Sequence, residues 1–357
     1  QLQQMTSLHV LPTDDVLFGL ERSHSYAETT AEELVYRVRQ ATGADVIVQT
    51  YLRGYPQDYQ LHYSLISPHN VERGVEFADT IPVLMSNLSS EIAKRFGSGM
   101  TEIRAYQSDF SNEAFASGVE HYMSEQFATA EPFLRAAVSA TPELLAARRF
   151  LAGALAHTGN LEQAISYLED NIERAKAMGN RREEVRGILM IGNWLANNDQ
   201  AIKADGYLSR ARNLAEDYDD QLFIAYAYEE LGKIRRRSGD FSEAESLLNT
   251  ALGYQRNFHC PYGQTTVLVE LGSNAFAQGR RDEAERYLNQ ALKIADDNGV
   301  VVNRFWTLLA MAAMHRANGD TALSQKLALK AKVLAGEVHD DYLVNKANHW
   351  LAAVTVH

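Results

Sequence analysis

The residues of this chain that could do chemistry are few and scattered. His259 and Cys260 stand side by side before Pro261-Tyr262-Gly263. A thiol beside an imidazole is the start of a metal or redox site, but two adjacent ligands cannot close a tetrahedral shell, so an ordinary loop thiol is expected. Glu216-Asp217-Tyr218-Asp219-Asp220 is densely acidic, yet it lacks the spaced ligands and central glycine of a calcium loop and reads as a solvated turn. Gly97-Ser98-Gly99 has no strand-to-helix context for a phosphate and reads as a joint between domains. Of the 11 histidines, His24, His69, His121 and His157 fall near the expected junction of two regions, where imidazoles could sense pH; otherwise they are solvated. There is no His-Glu-x-x-His, no phosphate loop, no Gly-x-Ser-x-Gly and no Cys-x-x-Cys. The chain is therefore expected to have no catalytic residues and no cofactor, and to be no enzyme.

Composition narrows the partners. A formal net charge of −12 over 357 residues argues against direct nucleic-acid binding, which depends on neutralising many phosphates. No run approaches the ~20 apolar residues that span a bilayer. Gln1 is no initiator, so any membrane anchor is expected upstream of it. The single cysteine cannot form an internal disulfide and says little about compartment.

Two regimes divide the chain. Pro12, Pro56, Pro68 and Pro82 punctuate the first hundred residues, whereas after Pro142 only Pro261 follows. In the first regime Ser7–Pro12 reads as a strand, Ala31–Ala41 as a helix capped by Thr29 or Thr30, and Asp45–Gly54 with Tyr59–Pro68 as a β-hairpin. Alternation puts Val46, Val48 and Leu52 on one sheet face with Tyr59, Leu61, Tyr63 and Leu65. Gln49, Tyr51, Arg53, Gln60, His62 and Ser64 share the other, which is expected to dock on the repeats or on a second copy of the chain. Val71–Asp79 adds a further strand, and Ile81–Phe96 a second helix stopped by Gly97 and Gly99.

The second regime repeats. Small residues recur at Ala130, Ala164, Ala204, Ala244, Ala284 and Ser324, 40 residues apart for the last five. Gly118, Ala152, Gly192, Gly232, Gly272 and Ala312 precede them by twelve. Small side chains at these two places fit a close crossing of paired helices, with Gly232 expected to meet Ala244. With the second series at position 8 and the first at position 20, position 24 is Leu134, Leu168, Leu208, Leu248, Leu288 and Ala328. Position 27 is alanine in five of six units, and Pro142 stands at position 32. Self-similarity of this period specifies a solenoid.

The pattern resembles the tetratricopeptide repeat over about residues 111–336, with the later units lengthened from 34 residues to 40. The resemblance implies an α+β chain: a small α/β domain (1–98), a linker (99–110), six helical hairpins in a right-handed superhelix (111–340) and a C-terminal capping helix (341–357). It also implies that positions 2, 5, 9, 12 and 13 of each first helix face a concave groove. Here these are Arg149, His157, Arg186, Asn193, Asn197, Tyr226, Glu229, Lys233, Arg236, Arg237, Phe276, Trp306 and Arg316. So basic and aromatic a set is expected to bind a peptide, a protein or a small anion, guanidinium groups gripping carboxylate through paired hydrogen bonds.

The first hundred residues resemble, in element order and in Gly43-Ala44-Asp45-Val46, the small module that precedes helical repeats in bacterial membrane-anchored regulators of the CadC type. That likeness implies a periplasmic sensory region that signals to an output domain elsewhere. Its best-known member carries a disulfide in this module; here the module has no cysteine. The alternative expectation is a cytoplasmic scaffold or adaptor.

Overall fold

The computed structural model describes residues 11, 13–22, 31–55, 58–78, 81–95, 112–257, 259–337 and 341–355. Its architecture is a three-stranded sheet with few helices, followed by a long helical solenoid. The strand expected over 7–12 lies outside the described residues except for Leu11, which is not in a strand. The 99–110 linker also lies outside them. A helix, α1 (Thr13–Arg22), stands where none was expected, and α2 (Ala31–Thr42) follows.

Strands β1 (Ile47–Tyr55), β2 (Asp58–Ile66) and β3 (Val71–Ala78) form an antiparallel meander in that order. Register pairs Leu52 with Leu61, Thr50 with Tyr63 and Val48 with Leu65, so the two expected faces are correctly sorted. Helix α3 (Ile81–Arg95) covers β2 and β3, where Leu84, Leu88 and Ile92 bury Leu61, Tyr63 and Leu65. Because the helix sits off-centre, Val48 and Leu52 on edge strand β1 stay exposed. The Tyr63 ring lies over Gly74; a β-carbon there would come within 2.3 Å of it, so only glycine leaves room. The opposite face, with Gln49, Tyr51 and Arg53 exposed, is left open. Among the described residues the contacts with the repeats run through α1 and α2 instead of this face, and its other expected neighbour is a second copy of the chain.

The solenoid comprises α4 (Glu113–Met123), α5 (Phe127–Ala140), α6 (Leu145–His157), α7 (Leu161–Ala177), α8 (Arg181–Asn197), α9 (Ala201–Asp217), α10 (Gln221–Ser238) and α11 (Phe241–Asn257). It continues through α12 (Pro261–Ala277), α13 (Arg281–Asp297), α14 (Val301–Ala317), α15 (Thr321–Glu337) and α16 (Asp341–Thr355). Consecutive pairs from α4/α5 to α14/α15 make six hairpins, and α16 closes the last. The 40-residue unit is two near-identical halves: from α7 to α14, each helix ends in a turn whose penultimate residue has positive φ, twenty residues after the last. The turns at Gly159, Gly179, Asp199, Asp219, Gly239, His259, Gly279, Gly299 and Gly319 are each closed by an amide bonding back five residues, as from Asn180 to the Ala175 carbonyl at 2.8 Å. This left-handed stop ends each helix and aims the next one back along it. The longer unit thus comes from longer helices joined by three-residue turns.

Packing within a hairpin adds a partner to the expected crossing of positions 8 and 20. The atoms nearest a β-carbon at Gly232 are those of Leu248, whose Cγ would lie 2.7 Å away. Gly118, Gly192 and Gly272 take Leu134, Leu208 and Leu288 in the same way. The small residue at position 8 is a socket for the leucine at 24, a knob one turn beyond the buried alanine. Positions 8 and 20 also come close: a β-carbon at Gly272 would lie 3.3 Å from the Ala284 carbonyl oxygen, and the Ser324 hydroxyl donates to the Ala312 carbonyl at 2.7 Å.

Candidate functional site: the inner groove and the helix seated in it

Successive first helices approach one another (α6 to α8, α8 to α10, α10 to α12, α12 to α14), which puts them on the inner side of the curve. Helices α6, α8 and α10 are buried over most of their residues, α6 most of all. Helix α1 lies against this side. Phe18, 6% exposed, belongs to the core that holds Ile188, Phe223, Ile224 and Tyr226; its ring centroid is 6.2 Å from Phe223 and 5.8 Å from Tyr226. One turn before it, the fully buried Asp15 carboxylate is paired with Arg186 and with Arg182 Nη2 at 3.0 Å. Arg182 and Arg186 are four residues apart on α8, so both point from one face of that helix and hold one oxygen each. Both guanidinium carbons also stand 5.7 Å from the Phe223 ring centre.

The pair belongs to a larger buried network. Glu183 accepts from Arg149 Nε at 3.0 Å, from Asn171 Nδ2 at 3.2 Å and from Arg186, while Arg182 Nε reaches Asp220 at 2.9 Å. Burial by itself would raise the Glu183 pKa, but the guanidinium groups of Arg149 and Arg186 more than offset it and hold the carboxyl below the usual range. Asp220 also caps α10 by accepting from the Phe223 amide, which makes part of the acidic run at 216–220 structural.

The thirteen groove residues foreseen from spacing are not one site. Arg149 and Glu229 are buried in the wall and do not line the groove. His157 is stacked on Phe127 at 4.0 Å. Arg186 and Tyr226 hold α1. Lys233 is paired with Glu229 at 2.6 Å and Glu230 at 3.0 Å, and Arg236 with Glu270 at 2.8 Å. Asn197 donates to Asn193 at 2.6 Å, and Arg237 to the Ala196 carbonyl at 3.2 Å. Phe276 and Trp306 pack in the sixth-hairpin core, and Arg316 lies over the Trp350 ring of α16. Of the foreseen cations, Arg149, Arg186, Lys233 and Arg236 already have acidic partners. Carboxylates on the same and neighbouring helices pair with these four, and at Arg186 one of them is the chain's own Asp15. Spacing did not flag Asp15, Phe18, Arg182 or Glu183. Pro12-Thr13-Asp14-Asp15 was a usable helix-start signal, masked by Gly19.

A second seat lies at the turns. Cys260 caps α12, accepting from the Gly263 amide at 3.4 Å, and its buried thiol donates to the Ala41 carbonyl at 3.3 Å. Tyr36 and Gln40 of α2 both donate to the Asn298 carbonyl in the α13–α14 turn. Cys260 is thus part of the contact between α2 and the solenoid and no free loop thiol. Histidines do not gather at this junction: His69 is exposed in the β2–β3 turn, His121 bonds Gln126 on the first hairpin, and His24 lies outside the described residues. Among the described residues no three His, Cys, Asp or Glu side chains converge to hold a metal, and no helix is long and apolar enough to cross a membrane.

The tetratricopeptide repeat family models match residues 115–177 and 265–298. No curated protein matches the chain. Among solved structures, a STAND signal-transduction ATPase with a tetratricopeptide repeat sensor from Pyrococcus horikoshii is similar, at 12% identity and TM-score 0.54. That match covers 96% of this chain and 53% of the other. The apo form of RapI is similar at 12% identity and TM-score 0.52, over 68% and 96% of the two chains. BtubC from P. vanneervenii is similar at 16% identity and TM-score 0.50, over 66% and 94%. Identities this low speak for the fold alone. With the family matches and the hairpin geometry, they show that the chain carries tetratricopeptide repeats stacked in a solenoid of that type, a scaffold suited to protein–protein interaction.

Proposed function

We propose that the chain is a non-catalytic sensory and recognition region, the periplasmic part of a membrane-anchored bacterial regulator of the CadC-like kind. On this reading it binds a protein or peptide segment on its solenoid and signals to an output domain outside this sequence. The observation that carries the reading is the double seat of the N-terminal helices. Helix α1 lies on the inner face at α8 and α10, and α2 lies on the turns before α12 and α14. Whatever occupies or bends the solenoid therefore acts on the segment through which an upstream anchor would be reached. Coupling of this kind needs two arrangements that a ligand stabilises differently, and a docked helix supplies one.

The compartment is tested by fusing alkaline phosphatase after His357 in the gene with its natural upstream sequence. Phosphatase activity in intact cells is the expected result. Activity only from a parallel cytoplasmic reporter, such as β-galactosidase, would contradict the periplasmic assignment and favour an adaptor.

A further inference from the structure

The inner face is not vacant; it already holds a ligand that the chain supplies itself. We propose that the α1 seat is a recognition site for an external helix carrying a carboxylate and, three residues later, an aromatic ring, with α1 as its tethered competitor. This rests on the solenoid being a recognition surface, and it names what that surface reads.

Two determinants define the seat. Arg182 and Arg186 flank the two oxygens of one carboxylate, Arg186 through a charge-assisted hydrogen bond and Arg182 as an ion pair. Phe223 and Tyr226 form the cup for one ring. Asp15 and Phe18 reach both from consecutive turns because residues three apart share a helix face. The charge count sets the sign of the partner. Around the seat Arg149, Arg182 and Arg186 face Glu183, Asp220 and Asp15. With Asp15 withdrawn the cations outnumber the anions, and a buried excess of positive charge demands a carboxylate.

Helix α1 is suited to leave. Its ten residues fall short of the ~12–15 that hold a helix in isolation, so its order depends on packing, against the seat on one side and against Ala41 and Thr42 of α2 at Gly19 on the other. Tethering gives it an effective concentration of about millimolar order. A free partner must therefore present both determinants to displace it, and a segment with only one would fail.

The test uses a fluorescein-labelled peptide of residues 11–22, titrated by anisotropy into the whole chain and into the Asp15→Asn/Phe18→Ala chain, whose own α1 is disabled. The peptide is expected to bind the substituted chain at least about tenfold more tightly than the wild type. A peptide carrying the same two substitutions should lose that binding. Equal affinity of the peptide for both chains, or equal binding of both peptides, would overturn the proposal. If the double substitution disturbed the helical circular dichroism melt, Asp15→Asn alone would serve, with the same ordering expected and a smaller ratio. A cytoplasmic reporter result would change the compartment and leave this titration untouched, while failure of the titration would leave the compartment standing.

Discussion

At the scale of single residues, the solenoid rests on a leucine in a glycine socket and the groove rests on paired charge. Gly232→Ala would place a methyl 2.7 Å from Leu248 Cγ. The overpacking should cost about 1–3 kcal/mol, seen as a lower urea midpoint with an unchanged slope. Glu183→Gln removes the carboxylate shared by Arg149 and Arg186 and should cost about 3–5 kcal/mol. The same group sets an acid dependence. Its folded pKa lies below the unfolded value of about 4.3. Its contribution is therefore complete above that pH and is lost as pH falls through the folded value. Glu183→Gln should accordingly flatten the loss of stability below about pH 4 that the wild type shows in an acid titration. The recurrence of glycine and alanine was legible in the sequence because sockets tolerate few side chains. The filling of each socket by Leu248 and its equivalents was not, because the spacing shows that room is needed and does not show which neighbour enters. Nor could spacing reveal that Lys233 and Arg236 are neutralised, since one of their partners, Glu270, lies on the next repeat's helix.

At the scale of elements, the left-handed turn residue every twenty positions sets where helices stop. Gly239, at φ 84° with open space around it, has no steric neighbour, so Gly239→Ala tests backbone strain alone and should cost about 1–2 kcal/mol. Asp199, at φ 57°, occupies the equivalent turn at a conformational cost. Asp199→Gly should gain up to about 1 kcal/mol, and the two thermal melts should move in opposite directions. The helices α4 to α16 and the hairpin β1–β2 were readable from periodicity because each buries one regular stripe. Helix α1 was not. Its ten residues carry a glycine in the middle, and the burial of Asp15 and Phe18 comes from contacts with residues some 170 to 210 positions away, while Gly19 packs on Ala41 and Thr42 of α2. Tertiary contact of that range leaves little periodic trace.

At the scale of the whole molecule, the N-terminal module and the solenoid are joined by helices rather than by the sheet. That arrangement leaves the Tyr51 and Phe77 face open while the inner groove is occupied. The central claim is that α1 is held in the groove by Asp15 and Phe18, and hydrogen exchange at the amides of Val16–Leu20 tests it most directly. A ten-residue helix without support would exchange almost as fast as unstructured chain. The account predicts strong protection of these amides in the intact protein. It further predicts that the protection vanishes in Asp15→Asn/Phe18→Ala while α8 and α10 keep theirs. Exchange of Val16–Leu20 at the unstructured rate in the wild type, or protection unchanged by the double substitution, would contradict it.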